Sequence, residues 1–521
     1  MANKNTLGIE IPSEIEGFGQ LTPYQGQWAL VDKYQTGDIY KSPQPLRVHG
    51  KSYNKLCSSL RECFKKLHLR DGMTISFHHH LRGGDETILP VVALLNEFGI
   101  RDITIASSSL TSAHEGLLPY LENGTISKIW TSGLRGGLGK AVSGGLLKAP
   151  VIFHSHGGRS RAIESGKLSI DVAFIAASAA DAQGNATGSF GTSGFGALGY
   201  SQIDSEYAQE TVVLTDNLVG FPCLPNSIKQ HNIDFVVQID RIGDPAKIAG
   251  DTTRITKDEK ELYIAELAAK AIDKAGYVQE GMSLQTGAGG SSLAVTKFIR
   301  GMLLARDLRG SFMLGGITSV MADMLKEGLF DAAFDVQSFD MAVRQSVYEN
   351  PKHVEISSSL YANPFNAGCM THQLDVVILA ALEVDVDFNV NVLVGSDGII
   401  RGASGGHSDA AAGADLTVIV APSIRKGTMP IIRKKVTSVV TPGDSVDLVV
   451  TEQGICINPK RQDLVDKLKG TDLPILDIHE LCENVEKECG VPTEPNWGDD
   501  VVALIEYRDG SIIDVVRNVV K

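Results

Sequence analysis

The chain repeats itself. This constrains the fold more than any other feature, because a duplicated stretch has to build a similar unit twice. Residues Ser169 to Gly188 read SIDVAFIAASAADAQGNATG, and Gln373 to Val392 read QLDVVILAALEVDVDFNVNV. Each carries an Asp, an apolar run, small residues, a second Asp and then an Asn. A second pair of segments, Asp71-Gly-Met-Thr-Ile and Glu280-Gly-Met-Ser-Leu, recurs in the same order. Both pairs are offset by roughly 200 residues, as a tandem duplication requires.

Within each half, short apolar runs alternate with helical patterns. Candidate strands are Thr74–His78, Asp102–Ala106, Val151–His154, Val172–Ala176 and Thr211–Thr215. Their counterparts are Ser283–Thr286, Phe312–Leu314, Val376–Ala380, Leu416–Val420 and Asp447–Thr451. The runs are continuous rather than alternating, which predicts strands buried on both faces, as in parallel sheets covered by helices. Candidate helices are Tyr53–Leu67, Leu89–Phe98 and Glu259–Ala275. The expected fold class is α/β, with two similar domains of mainly parallel sheet. We read an N-terminal arm over residues 1–45, a first domain over 46–255 and a second over 256–521, joined near Asp251–Lys257. A duplicated chain places its ligand site between the halves, since concave sites favour domain interfaces.

With 521 residues, 43% hydrophobic and 21% charged, the chain has the balance of a soluble globular protein with sizeable cores. The net charge of −14 and the lack of a basic stripe argue against nucleic-acid binding. Seven Cys without a C-x-x-C, the nearest pairs being Cys57 with Cys63 and Cys482 with Cys489, point to free thiols in a reducing compartment. No secretory h-region and no apolar run of membrane-spanning length occur, so a cytoplasmic location is expected.

Four motifs offer chemistry. Phe77-His78-His79-His80-Leu81-Arg82-Gly83-Gly84-Asp85 falls between a strand and a helix. Neighbouring side chains on a strand alternate faces, so three adjacent His do not easily share one ion, and no fourth zinc ligand stands at suitable spacing. A strand-end loop presenting imidazole, Arg and Gly amides to an anion fits better, and no metal is expected. Gly287-Ala288-Gly289-Gly290 is the repeat equivalent of this loop, where backbone N–H groups can approach an oxyanion. Ala403-Ser404-Gly405-Gly406-His407-Ser408-Asp409 offers two Gly donors beside Ser404 and His407. It lacks the G-x-S-x-G elbow that a hydrolase nucleophile needs. His154-Ser155-His156-Gly157-Gly158-Arg159-Ser160-Arg161, and Arg135 in its own Gly turn, supply guanidinium groups that suit a polycarboxylate or simply sit on solvated turns.

These residues resemble the alpha chains of citrate lyase, most distinctively over Ser76–Asp85, SFHHHLRGGD, and the likeness runs through nearly the whole chain. The second half is also similar to the wider acetyl-CoA hydrolase and CoA-transferase family, with its G-x-G-G-x-x-D turn and V-T-E-x-G stretch. Here these read Ala403 to Asp409, with Ala for the first Gly, and Val449-Thr451-Glu452-Gly454 within LVVTEQG. Many CoA-transferases carry a glutamate that becomes a covalent acyl-CoA thioester. The matching region here, Leu314-Gly315-Gly316-Ile317-Thr318-Ser319, has none.

The resemblance implies citrate CoA-transferase activity: acetyl is exchanged for citryl on a CoA-like thioester, with no covalent glutamyl intermediate. It implies no tightly bound cofactor; the co-substrate is a dephospho-CoA-derived prosthetic group on an acyl carrier subunit. The implied partners are that carrier (gamma) subunit, a lyase (beta) subunit, citrate and acetate, with the chain itself a homo-oligomer. Gly289, Gly290, Gly405 and Gly406 are the candidate oxyanion donors. His79, Arg82, Arg159, Ser404 and His407 are the candidate substrate contacts. A transferase for another carboxylic acid, a thioester hydrolase and a non-enzymatic ligand sensor are the alternatives. The last would need a DNA-binding module, for which no candidate segment exists.

Overall fold

The computed structural model describes residues 2–34, 37–43, 46–248 and 255–520. Two large sheets carry the chain, and their centres match strand for strand. The first runs Val151–Phe153, Ile126–Thr131, Ile103–Ser107, Thr74–Phe77, Val172–Ala177, Glu210–Thr215, Phe235–Gln238. The second runs His353–Glu355, Phe330–Asp335, Gly310–Gly315, Leu284–Thr286, Val376–Ala380, Leu416–Val420, Leu448–Thr451. Every pairing within these two series is parallel. Ile103–Ser107 and Leu416–Val420 are buried along their whole length, as expected of strands covered on both faces.

The repeat extends to hydrogen bonds. Asp171 Oδ2 accepts from Thr74 N at 2.7 Å, and Asp375 Oδ2 accepts from Ser283 N at 2.6 Å, tying the same two strand starts together in each half. Asp181 Oδ1 accepts from Gln183 N and Asn185 N; Asp385 Oδ1 accepts from Asp387 N and Asn389 N, closing the same local turn. The Asp and Asn that reveal the duplication in sequence are thus the residues that fix backbone donors.

The edges differ from the expected division. The C-terminal hairpin, Trp497–Glu506 with Ile512–Val519, joins the ten-stranded first sheet beside Val151–Phe153 and not the nine-stranded second. A boundary that assigns 256–521 to the second domain therefore misplaces the last strands. The N-terminal segment lies against this hairpin: Tyr24 N donates to Ile512 O at 3.0 Å and Asn5 Nδ2 to Ile513 O at 2.8 Å. Of the segment expected to join the halves, Asp251–Arg254 lie outside the described residues. The helix expected over Tyr53–Leu67 is shorter. Leu56–Cys57 is an edge strand, and Ser59 caps a helix over Leu60–Lys66 by accepting from Glu62 N at 3.1 Å. No helix among the described residues is long and apolar enough to cross a membrane.

Candidate active site

Loops that follow the C-terminal ends of strands in both sheets meet around a cavity of 860 Å³. Ligands of open parallel sheets bind at such strand ends. The first half contributes His79 and Arg82, Arg135, His156 and Tyr200. The second contributes Gln285 to Gly289, Gly316, Tyr361, Arg401 to His407 and Arg425. The wall is continuous across the halves: Ser404 N donates to Ser132 O at 2.7 Å, His156 N to Gly405 O at 2.9 Å and Leu134 N to Gly402 O at 3.1 Å. Beneath it, Asp409 accepts from Ser155 Oγ at 2.6 Å and Gly157 N at 2.9 Å, and burial raises its carboxyl to about 6.

The charge of the wall is one-sided. Arg82, Arg135, Lys247, Arg401 and Arg425 line the cavity, and no Asp or Glu does among the described residues. In a chain of net charge −14 that is a strong local bias toward an anion. Four of the five cations are partly engaged. Arg82 donates to Ser338 O and Phe339 O of the other half, Lys247 faces Asp244 at 3.7 Å, Arg401 pairs with Asp397 and Arg425 donates to Ala381 O at 3.0 Å. Arg135 has no hydrogen-bond or ion-pair partner among the described residues, and burial alone pulls its guanidinium below the ordinary value. Burial likewise brings Arg82 down to about 10, which leaves it charged at neutral pH.

Most of the expected residues meet here. His79 stacks on Tyr200 with ring centroids 4.9 Å apart, and its Nδ1 lies 2.6 Å from Ser108 Oγ. Burial, then the neighbouring His156, hold its imidazole well below the usual range, so it is neutral at physiological pH. The adjacent imidazoles part company: His78 Nε2 lies 3.0 Å from Asp204 and His80 Nε2 3.2 Å from Ser201 Oγ. Gly289, Gly405 and Gly406 line the cavity. The Gly405 and Gly406 N–H groups donate to nothing among the described residues. Gly405 has φ +53°, a conformation that favours glycine, and a Cβ on Gly406 would sit 2.5 Å from the Tyr361 hydroxyl. Gly289 caps the helix Gly290–Arg306, whose N-terminus faces the same space.

Other expectations need correction. Arg159 is 2% exposed and absent from the wall. Both terminal nitrogens bond Asp204 at 2.6 Å, so the guanidinium is spent on an internal carboxylate. Burial works to raise the Asp204 carboxyl, yet Arg159 and His78 hold it below the usual carboxylate range. Gly290 is the first helical residue and also lies outside the wall. Ser404 and His407 do line it, but they do not act on each other. Ser404 Oγ donates to His154 O at 2.7 Å, while His407 Nδ1 meets Thr441 Oγ1 at 2.7 Å and Nε2 meets Ala380 O at 3.1 Å. No nucleophile–base pair exists there. The sequence reading missed Tyr200, Gln285 and Tyr361. Gln285 Nε2 donates to the Tyr361 hydroxyl at 2.8 Å, while Gln285 Oε1 is buried without a partner. A Gln inside the buried strand Leu284–Thr286 was the available signal.

Two large, mainly parallel sheets paired in this way make a CoA-transferase-like fold. The solved 4-hydroxybutyrate CoA-transferase of Porphyromonas gingivalis shares it at a TM-score of 0.53 and 16% identity, over 83% of this chain and 97% of that one. Within that class the chain belongs to the family "Citrate lyase, alpha subunit", whose profile matches residues 53–519. The citrate lyase alpha chain of Klebsiella pneumoniae is 49% identical over 96% of each chain. The alpha subunit of citrate lyase from Streptococcus mutans, solved in complex with citrate, superposes at a TM-score of 0.95 with 46% identity, over 99% of this chain and 100% of that one.

Proposed function

We propose that this cavity exchanges acetyl for citryl on the thioester of a CoA-like prosthetic group: acetyl-carrier plus citrate gives citryl-carrier plus acetate. The partners in this reading are an acyl carrier (gamma) subunit that brings the thioester and a lyase (beta) subunit that consumes the product, in the cytoplasm. The observation that carries it is a wall with five cations and, among the described residues, no carboxylate. Such a wall favours a polycarboxylate acceptor and offers no glutamate to become an enzyme-bound thioester.

The chemistry then has to be direct. A citrate carboxylate oxygen attacks the acetyl carbonyl, and the carbonyl electron pair moves onto oxygen. Collapse expels the thiolate and leaves a mixed anhydride. The thiolate adds to the citryl carbonyl, and collapse there expels acetate. No proton moves in this balance, so the protein needs no general acid or base. Its task is to hold the reactants in line, worth about 7–11 kcal/mol, and to donate to each oxyanion, worth about 3–4 kcal/mol per donor. Arg135, with its uncommitted guanidinium, and Arg82 are the groups we assign to citrate. Gly405 and Gly406 N–H, together with the helix end at Gly289, are the backbone donors.

The direct route has an isotopic signature. In a single turnover with enzyme in excess, acetyl-CoA as donor and carboxylate-labelled [18O]citrate, the released acetate carries one oxygen from citrate. Unlabelled acetate released together with citryl-CoA in that first turnover means an enzyme carboxylate intervened, and the direct exchange is wrong.

A further inference from the structure

We propose that His156 is a catalytic residue that donates a hydrogen bond from a neutral imidazole Nε2–H to the oxyanion formed when the thioester carbonyl is attacked. The proposal rests on the exchange reading above and adds to it a side-chain donor beside the two glycine amides.

His156 lines the cavity and opens the helix His156–Glu164, which Ser155 caps by accepting from Gly158 N at 3.0 Å. Its backbone N–H holds Gly405 O at 2.9 Å. A Cβ on Gly405 would lie 3.6 Å from its Nε2, so that nitrogen stands beside the glycine turn with no side chain intervening. The ring is fixed by Tyr200, with centroids 4.5 Å apart, and by His79 at 5.6 Å.

The tautomer follows from the partners. Nδ1 is buried and bonds nothing. An orphaned N–H is rarer in a protein interior than an under-used acceptor, which puts the proton on Nε2, toward the cavity. Ser108 Oγ accepts from His79 N at 3.0 Å and meets His79 Nδ1 at 2.6 Å, which holds that ring beside His156. Burial, with the charges of His154 and Arg159 adding to it, takes the His156 imidazole down to about 3. Such a group neither accepts nor gives up a proton near neutrality, and the exchange asks for neither. A neutral imidazole at a helix N-terminus is a known kind of electrophile toward a carbonyl oxygen.

Three variants separate donor from spacer. His156→Phe keeps a stacked ring without a donor, His156→Gln keeps a donor near the Nε2 position without the ring, and His156→Ala keeps neither. With the full chain, acetyl-CoA and citrate, kcat falls about 10²–10³-fold in the Phe and Ala variants, while the citrate KM stays within about threefold. The Gln variant recovers at least about tenfold over Phe. A Phe variant as active as Gln, or losses confined to KM, overturns the donor role. So does a doubly protonated or Nδ1–H imidazole at pH 6 in the nitrogen spectrum of 15N-histidine-labelled protein. A wild-type chain that forms no citryl-CoA overturns the exchange reading itself, and this proposal with it.

Discussion

Replacing Arg135 by Gln should weaken citrate binding without weakening the fold. The guanidinium lines the cavity and has no partner among the described residues, so the substitution breaks no internal bond and strands no internal charge. What it removes is a charge-assisted contact to a carboxylate, worth about 1.5–3 kcal/mol. At about 1.4 kcal/mol per decade, that is a rise of roughly 10- to 150-fold in the citrate KM. Initial rates of citryl-CoA formation from acetyl-CoA, with citrate varied, would measure it, and a thermal melt would check the fold. A citrate KM within about threefold of wild type would refute the assignment of Arg135 to citrate, because a charged hydrogen bond worth at least about 1.5 kcal/mol shifts it by roughly tenfold or more. A large fall in melting temperature would show that Arg135 holds the structure instead.

Arg82→Ala should differ in kind. It raises the citrate KM or abolishes turnover, and it also removes donors to Ser338 O and Phe339 O and a guanidinium stacked 5.4 Å from the Phe339 ring, so melts should show about 1–3 kcal/mol of lost stability. An unchanged citrate dependence would take Arg82 out of the site. Glu506 carries a pH prediction. Burial pushes its carboxyl up, but Lys167 and Arg161 outweigh that and hold it down at about 2. A depressed folded value means stability that is fully present above the ordinary Glu range and lost as pH falls from about 4.5 toward 2. Denaturant unfolding should therefore show Glu506→Gln about 3 kcal/mol less stable than wild type at pH 7, with the gap closing as pH drops through that window. A gap independent of pH would mean the pair contributes packing rather than charge.

The duplication was legible because its signature residues bond backbone: Asp171 and Asp375, and Asp181 and Asp385, recur for the same structural reason. Central strands were legible because they are continuously apolar. Ile126–Thr131 was not, since Ser127 and Lys128 interrupt its apolar run, and His353–Glu355 is too short to announce itself. The C-terminal hairpin could not be assigned to the first sheet, because its pairing with Val151–Phe153 is between residues far apart in the chain. The site followed the same rule. Glycine turns and His79 showed themselves by type and spacing. The roles of two arginines did not, since they depend on partners the sequence does not identify. Arg159 meets Asp204 in the interior, while Arg135 meets no partner among the described residues and is left for a ligand.

In the proposed exchange citrate is the acyl acceptor. Purified protein should be given acetyl-CoA and citrate, with acetate, succinate and water competing, and the thioester products identified by mass spectrometry. The expected product is citryl-CoA, formed only when citrate is present, with acetate released alongside it. Free CoA without citryl-CoA, or a thioester of another acid in its place, would contradict it.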